Sequence, residues 1–293
     1  MSNLEISRGE RLDQRVVSLL PLLSRSFATQ LIRDGKVTIN GVVATKGGTK
    51  IRPYDDVVLD YQMTDFVIPE IELPVLYEDD ACVVIIKPIG LLTHSKGAFN
   101  PEPSVATWLH NRIVDATLLD EDKDSLNNRA GIVHRLDRAT SGVMICAKTP
   151  SALAWLQKQF ADRKVQKTYA AVIRGRLNPQ EAVIDMPIER NPKAPATFRV
   201  GTRGKHATTA YKTVASNDHY SLVELKPETG RTHQLRVHLH HQGHPIVGDT
   251  LYGGEPAERL YLHAESLEII TGHGKERQIF TAPIPADFNQ LVA

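Results

Sequence analysis

The sequence predicts an α+β protein: a small helix-led unit, then a larger one around a mixed, largely antiparallel β-sheet. Three observations point there. About the first sixty residues carry helical periodicity that gives way to a hairpin signal. Beyond them helices and strands are interspersed without a regular βαβ repeat. Neither GxGxxG nor GxxxxGKS/T occurs, which argues against a Rossmann or P-loop fold.

In chain order, RLDQRVVSLLPLL places Leu12, Val16, Leu19 and Leu20 near helical spacing, and SRSFATQLIRDG places Phe27, Leu31 and Ile32 on one face. Ser24 is the candidate N-cap, and Gly35 stands where a left-handed residue would end the second helix. In KVTINGVVA, Asn40-Gly41 lies between β-rich runs, a hairpin signal. The proline-containing stretch YQMTDFVIPEIELP has no helical period and marks a linker, which divides the chain into 1–62, 63–74 and 75–293. ACVVIIKP reads as a buried strand ended by proline. Residues 100–128 are polar, helical only in SVATWLHNR, and acid-rich at LLDEDKD, as a surface excursion would be. Strand GVMICAK, helix SALAWLQKQFADR, strand TYAAVIRG and further strands follow.

Apolar residues make up 41% and charged residues 24% of the 293, the composition of an ordinary globular protein. No apolar run approaches the roughly 20 residues needed to cross a bilayer. The start MSNLEISRGE lacks the apolar core of a secretory signal. A cytoplasmic protein without membrane contact is therefore expected. Cys82 and Cys146 sit in apolar stretches where a small thiol packs well. With a net charge of +1, any nucleic acid would be held through local patches rather than a general basic coat.

Three segments carry candidate chemistry. In GIVHRLDRATSGVMICAK, Asp137 stands between Arg135 and Arg138. Guanidinium groups beside a carboxylate favour its ionised form, which suits a nucleophile or base. Taken alone, Arg-Leu-Asp-Arg is more often a structural ion pair. The kinase HRD loop does not fit, since the extra leucine, the missing asparagine and the absent DFG exclude it. RKVQKTYAAVIRGR strings Arg163, Lys164, Lys167, Arg174 and Arg176 around Tyr169, a mix of charge and ring face that suits an unpaired base. In ETGRTHQLRVHLHHQGHP, Arg231 lies where a short helix carrying Leu235 and Leu239 begins. His233, His238, His240, His241 and His244 invite a metal reading, but neither cysteine lies near them in sequence and no metal is expected.

Together these strings resemble the RluA family of RNA pseudouridine synthases, whose motifs are HRLDxxTSG, KxYxA and GRxHQxR. The resemblance covers nearly all of 75–288, including DDACVVIIKPIGLLTH, ATTAYKTV and RLYLHAESLEI. Ile86 departs from it, because many relatives have a polar residue before the Lys-Pro pair, and the role of Lys87 stays open. Helix, helix and hairpin over about 11–61, with Arg25, Arg33 and Lys36 around the second helix, resemble the S4 RNA-binding domain. The resemblance implies that Asp137 is catalytic, that Tyr169 stacks on the target base and that Arg231 pairs with Asp137. It also implies a reaction without cofactor. Arg135, Arg138, Lys167 and Arg236, with Arg25, Arg33 and Lys36, are the candidate RNA contacts. Attack at C1′ and removal of a C2′ proton both remain open as routes. Large-subunit ribosomal RNA is the expected substrate, with transfer RNA as the alternative, and a monomer is expected. A non-catalytic S4-type ribosome-assembly factor would have lost the aspartate, tyrosine or arginine, and all three are present. A nucleoside or glycoside hydrolase would want an opposed second carboxylate, which no comparable motif supplies.

Overall fold

The structure is a computed structural model that describes residues 9–20, 25–61, 69–94, 102–110, 112–113, 131–271 and 276–293. Ser24, residues 62–68 of the linker and the acid-rich 118–124 lie outside them. The chain divides into two units. The described residues within 9–71 and 94–108 fall in the first, and those within 72–93, 109–113 and 131–293 in the second.

The first unit runs β1 (Glu10–Arg11), α1 (Leu12–Leu19), α2 (Arg25–Arg33), β2 (Val37–Ile39), β3 (Val42–Val43), β4 (Lys50–Ile51) and β5 (Val57–Leu59). Leu12, Val16, Phe27, Leu31 and Ile32 are buried together, the stripe their spacing predicts. Leu19 is the exception at 47% exposed, because α1 ends there and Leu20 leaves the helix at φ −133°. Helix α2 ends as expected. Gly35 takes φ +74°, so that Lys36 N–H donates to the Leu31 carbonyl and Gly35 N–H to the Ile32 carbonyl, closing a Schellman motif. Asn40 (φ 52°) and Gly41 (φ +80°) form the left-handed turn between β2 and β3. Buried Asp13 accepts from both Arg11 and Arg25. The Arg11 hydrogen bond, helped by Arg25, holds its carboxyl near 2 against the cost of burial.

The second unit contains β6 (Val75–Glu78), β7 (Cys82–Lys87), β8 (Ser141–Ala147), α4 (Pro150–Ala161), β9 (Gln166–Arg174), β10 (Glu181–Asp185), β11 (Ile188–Arg190), β12 (Phe198–Val200), β13 (Thr208–Ser216), β14 (Tyr220–Pro227), α5 (Gln234–His241), β15 (Leu262–Ile269), β16 (Gln278–Thr281) and α6 (Ala286–Val292). Short helix α3 (Val105–His110) precedes β8 in the chain. Among the described residues nine strands form one sheet in the order β10-β13-β14-β9-β15-β8-β7-β6, with β16 beside the later half of β15. Each of these pairings is antiparallel except β15 with β8, which run parallel through His263 and Ala264. The class read from the sequence is the one observed.

Helix α4 starts where Thr149 accepts from Ala152 N–H and Pro150 opens the first turn. Its Ala152 and Leu156 pack on Cys82, Val84, Val143 and Ile145. Strands β9, β14 and β15 bury Val172, Leu225 and Leu262 against Leu235 and Leu239 of α5 and Phe288 of α6. The two cysteines are buried, and burial pushes the Cys82 thiol up to about 12. The segments entering β8 and α5 and the start of β9 line one cleft.

Candidate active site

The segment before β8 is tied down along its length. His134 accepts from Ile145 N–H and stacks on Phe160, while burial pushes its ring down to about 3 and keeps it neutral. Thr93 Oγ1 donates to the Leu136 carbonyl at 2.9 Å and accepts from Leu136 N–H at 3.3 Å. Asp137 then opens a tight turn, with Thr140 N–H donating to its carbonyl. Lys87, fully buried, donates to the carbonyls of Pro88 (2.9 Å), Leu91 (2.9 Å) and Arg138 (3.3 Å). Burial lowers its ammonium to about 8, opposed by the charge of Asp137. Lys87, whose role the sequence left open, is therefore a brace under the Asp137 turn.

Asp137 faces an open cleft whose walls include Arg135, Lys167, Tyr169, Arg231, His233 and Arg236. Arg236 Nη1 donates to Asp137 Oδ2 at 3.3 Å, and His233 Nε2 lies 3.8 Å from the same oxygen. Burial lowers the His233 imidazole below its ordinary range, so Arg236 supplies the positive charge beside Asp137. Arg236 is itself fixed by a two-pronged pair to buried Asp249, with Nε and Nη2 each 2.7 Å from a carboxylate oxygen. Its guanidinium lies 5.0 Å from the Tyr252 ring centroid. Burial opposes the charge on Arg236, but these Asp249 bonds outweigh it and raise its pKa. The Tyr252 hydroxyl in turn lies 2.7 Å from His233 Nδ1.

The expected pair of Arg231 with Asp137 is not what the structure shows. Arg231 precedes the residue that caps α5, and its Nε donates to the His206 carbonyl at 2.9 Å. Helix α5 begins only at Gln234, so Arg236, in its first turn, is the guanidinium that reaches Asp137. For the same reason Arg236 is not a surface contact: it is 8% exposed. His233 takes φ +56° at the cap, an uncommon conformation for a residue with a side chain. Gln234 secures the approach by accepting from Thr229 Oγ1 and Arg231 N–H and donating to the Thr208 carbonyl and Thr209 Oγ1. His238 is engaged with Thr209 and Met186, and His244 with the Arg174 carbonyl.

Sequence reasoning missed His233, Asp249 and Tyr252. His233 stood in the candidate string but was weighed there only as a metal ligand. Asp249 and Tyr252 gave no signal, being separated from Arg236 by a turn whose path the local pattern does not fix. Tyr169 lines the cleft from β9, its phenol pushed up by burial and further by the charge of Asp137. Arg135 is exposed at the rim, and Arg138, also exposed, donates from Nε to the Gly90 carbonyl. In the first unit Arg33 and Lys36 are exposed and Arg25 is half-exposed against Asp13.

One cleft thus holds a carboxylate beside an arginine, a ring wall and cationic flanks. Residues 81–241 match the model of RNA pseudouridylate synthases, and residues 10–57 match the S4 domain. The chain belongs to the RNA pseudouridylate synthase family. It is 38% identical to ribosomal large subunit pseudouridine synthase D of Yersinia pestis, over 98% of this chain and 91% of the relative. To the protein of the same description from Xylella fastidiosa it is 36% identical, over 97% and 88%. Among solved structures, human RNA pseudouridylate synthase domain containing 1 aligns with a TM-score of 0.58 at 28% identity, over 72% of this chain and 83% of that one.

Proposed function

We propose that this chain isomerises specific uridines to pseudouridine in large-subunit ribosomal RNA, with Asp137 as the catalytic carboxylate. The reaction breaks the bond between C1′ and N1, turns the uracil, joins C1′ to C5, releases the C5 proton and takes one up at N1, so that the product is an isomer. No atom is added and no electron leaves. A uridine stacked in a duplex cannot reach Asp137, so the base is flipped or already unpaired. The observation that carries the reading is Asp137, held by Arg236 on a braced turn, in one cleft with Tyr169.

In this reading Asp137 works at the sugar, whether at C1′ or at the C2′ proton. Arg236 orients its carboxylate, and Tyr169 offers a ring face to the base and keeps the detached uracil from leaving. Arg135 at the rim, with Arg25, Arg33 and Lys36 of the first unit, meets phosphates. The substrate class follows from the relatives' names and the S4 match. The boundaries 1–62 and 75–293, a cytoplasmic location and a monomeric state complete the proposal. The described residues include no helix long and apolar enough to cross a membrane.

The test is tritium release. RNA labelled at uridine C5 loses its label as C5 joins the sugar, so purified protein should release tritium from large-subunit ribosomal RNA transcripts. Release only from transfer RNA would replace the substrate, and release from neither would remove the function.

A further inference from the structure

The cations of the cleft are not equally committed. Arg236 is taken by Asp249 and Asp137, and the Arg231 Nε by the His206 carbonyl. Lys167 lines the same cleft, half-buried, and among the described residues its ammonium has neither a carboxylate nor a hydrogen-bond partner. Burial, with nothing opposing it, lowers its ammonium to about 8. Charge removed from water without a counter-ion costs stability, and an anion brought into the cleft would recover that loss.

The strand fixes where the anion would sit. Lys167 and Tyr169 are two apart on β9, so they share a face roughly 7 Å apart. The ladder from β14 stops at Leu225 opposite Tyr169, while β15 continues past it to pair Leu267 with Lys167. Strand β14 runs on to Pro227 without pairing β9 there, and Pro227 and Lys167 both line the cleft. Uracil is neutral, and the anions of an RNA are its phosphates. The backbone positions of Tyr169 and Lys167 are about as far apart as a base and the phosphate of its own nucleotide, within reach of a lysine side chain.

We propose that Lys167 binds a backbone phosphate of the nucleotide whose base lies on Tyr169, and so sets the flipped uridine in register with Asp137. This rests on the functional reading above. Arg135 also lines the cleft without a partner among the described residues, but it stands exposed at the rim, whereas Lys167 is half-buried on the strand that carries Tyr169. Lysine meets phosphate as a point charge, so arginine should substitute in part.

The test uses the full chain and a large-subunit ribosomal RNA fragment carrying the modified uridine. Single phosphates flanking that uridine are replaced in turn by neutral methylphosphonate. Lys167→Met should lose roughly ten- to hundred-fold in kcat/KM, mostly through KM, as for a charged hydrogen bond. One particular methylphosphonate should cost wild type a similar factor but cost Lys167→Met less than about twofold, because the partner is already gone. Lys167→Arg should recover most of the loss. If melting shows Lys167→Met to be unfolded, the same comparison is made with Lys167→Gln. Unchanged kcat/KM in the folded variant, or losses that multiply at every phosphate, would overturn the assignment and leave the enzyme's function standing. Absence of turnover by wild type on any RNA would overturn both.

Discussion

At the scale of single residues, Asp137 and its partners carry the account. Asp137→Asn keeps the size of the side chain but removes its charge, so pseudouridine formation should fall by roughly 10³-fold or more while the melting temperature holds. The two arginines are told apart by their surroundings. Arg236→Ala removes the group that orients Asp137 and should cost about 10²-fold in kcat. It also leaves Asp249, which is 1% exposed, without its ion pair, at roughly 3–5 kcal/mol of stability. Arg231→Ala loses one hydrogen bond to a carbonyl and should stay within about tenfold in kcat/KM, without a stability defect. Steady-state kinetics and denaturant melts on the two variants check this contrast. Asp137 was legible because its motif is contiguous. The choice between Arg231 and Arg236 was not, because it depends on where α5 starts, and His233 caps that helix in a left-handed conformation that the sequence does not announce.

At the scale of elements, the Asp137 turn and strand β8 depend on two features. Gly142 takes φ +118°, and a Cβ there would lie 2.1 Å from the Ala264 carbonyl oxygen on β15. Gly142→Ala should therefore destabilise by more than about 1 kcal/mol in a denaturant melt. Lys87 braces the turn from beneath. Its ammonium titrates near 8 when folded and near 10.5 when unfolded, so between those values the unfolded chain holds more protons. Stability from this group is then fully present above about 10.5 and is lost as pH falls through about 8. The denaturant midpoint of wild type relative to Lys87→Met should accordingly rise between pH 8 and pH 10.5; a flat difference would contradict the buried, protonated brace. The hairpin at Asn40-Gly41 and the end of α2 at Gly35 were legible, since each is decided within a few residues. The role of Lys87 was not, because one of the carbonyls it binds lies 51 residues away in sequence.

At the scale of the whole molecule, the Asp137 cleft and the S4 match lie in different parts of the chain. Every described residue of the Asp137 cleft lies in the second unit, and the S4 match lies in the first. The net charge of +1 already indicated that RNA would be gripped locally. Arg33→Ala and Lys36→Ala should therefore weaken binding to unrelated RNAs alike and lower the slope of log affinity against log salt by about one each. Arg25 gives a smaller electrostatic return, since Asp13 partly answers its charge. The order of elements was legible from periodicity and turn residues. The closing of β8 against β15 in parallel was not, because the register of strands more than a hundred residues apart is set by packing.

The measurement that tests the central claim most directly is a map of pseudouridines in total RNA from cells lacking this chain, complemented with wild type or Asp137→Asn. The account predicts that one or a few large-subunit ribosomal RNA sites disappear and return with wild type alone. Sites restored equally by Asp137→Asn, or no site changed in any RNA while the protein is expressed, would contradict it.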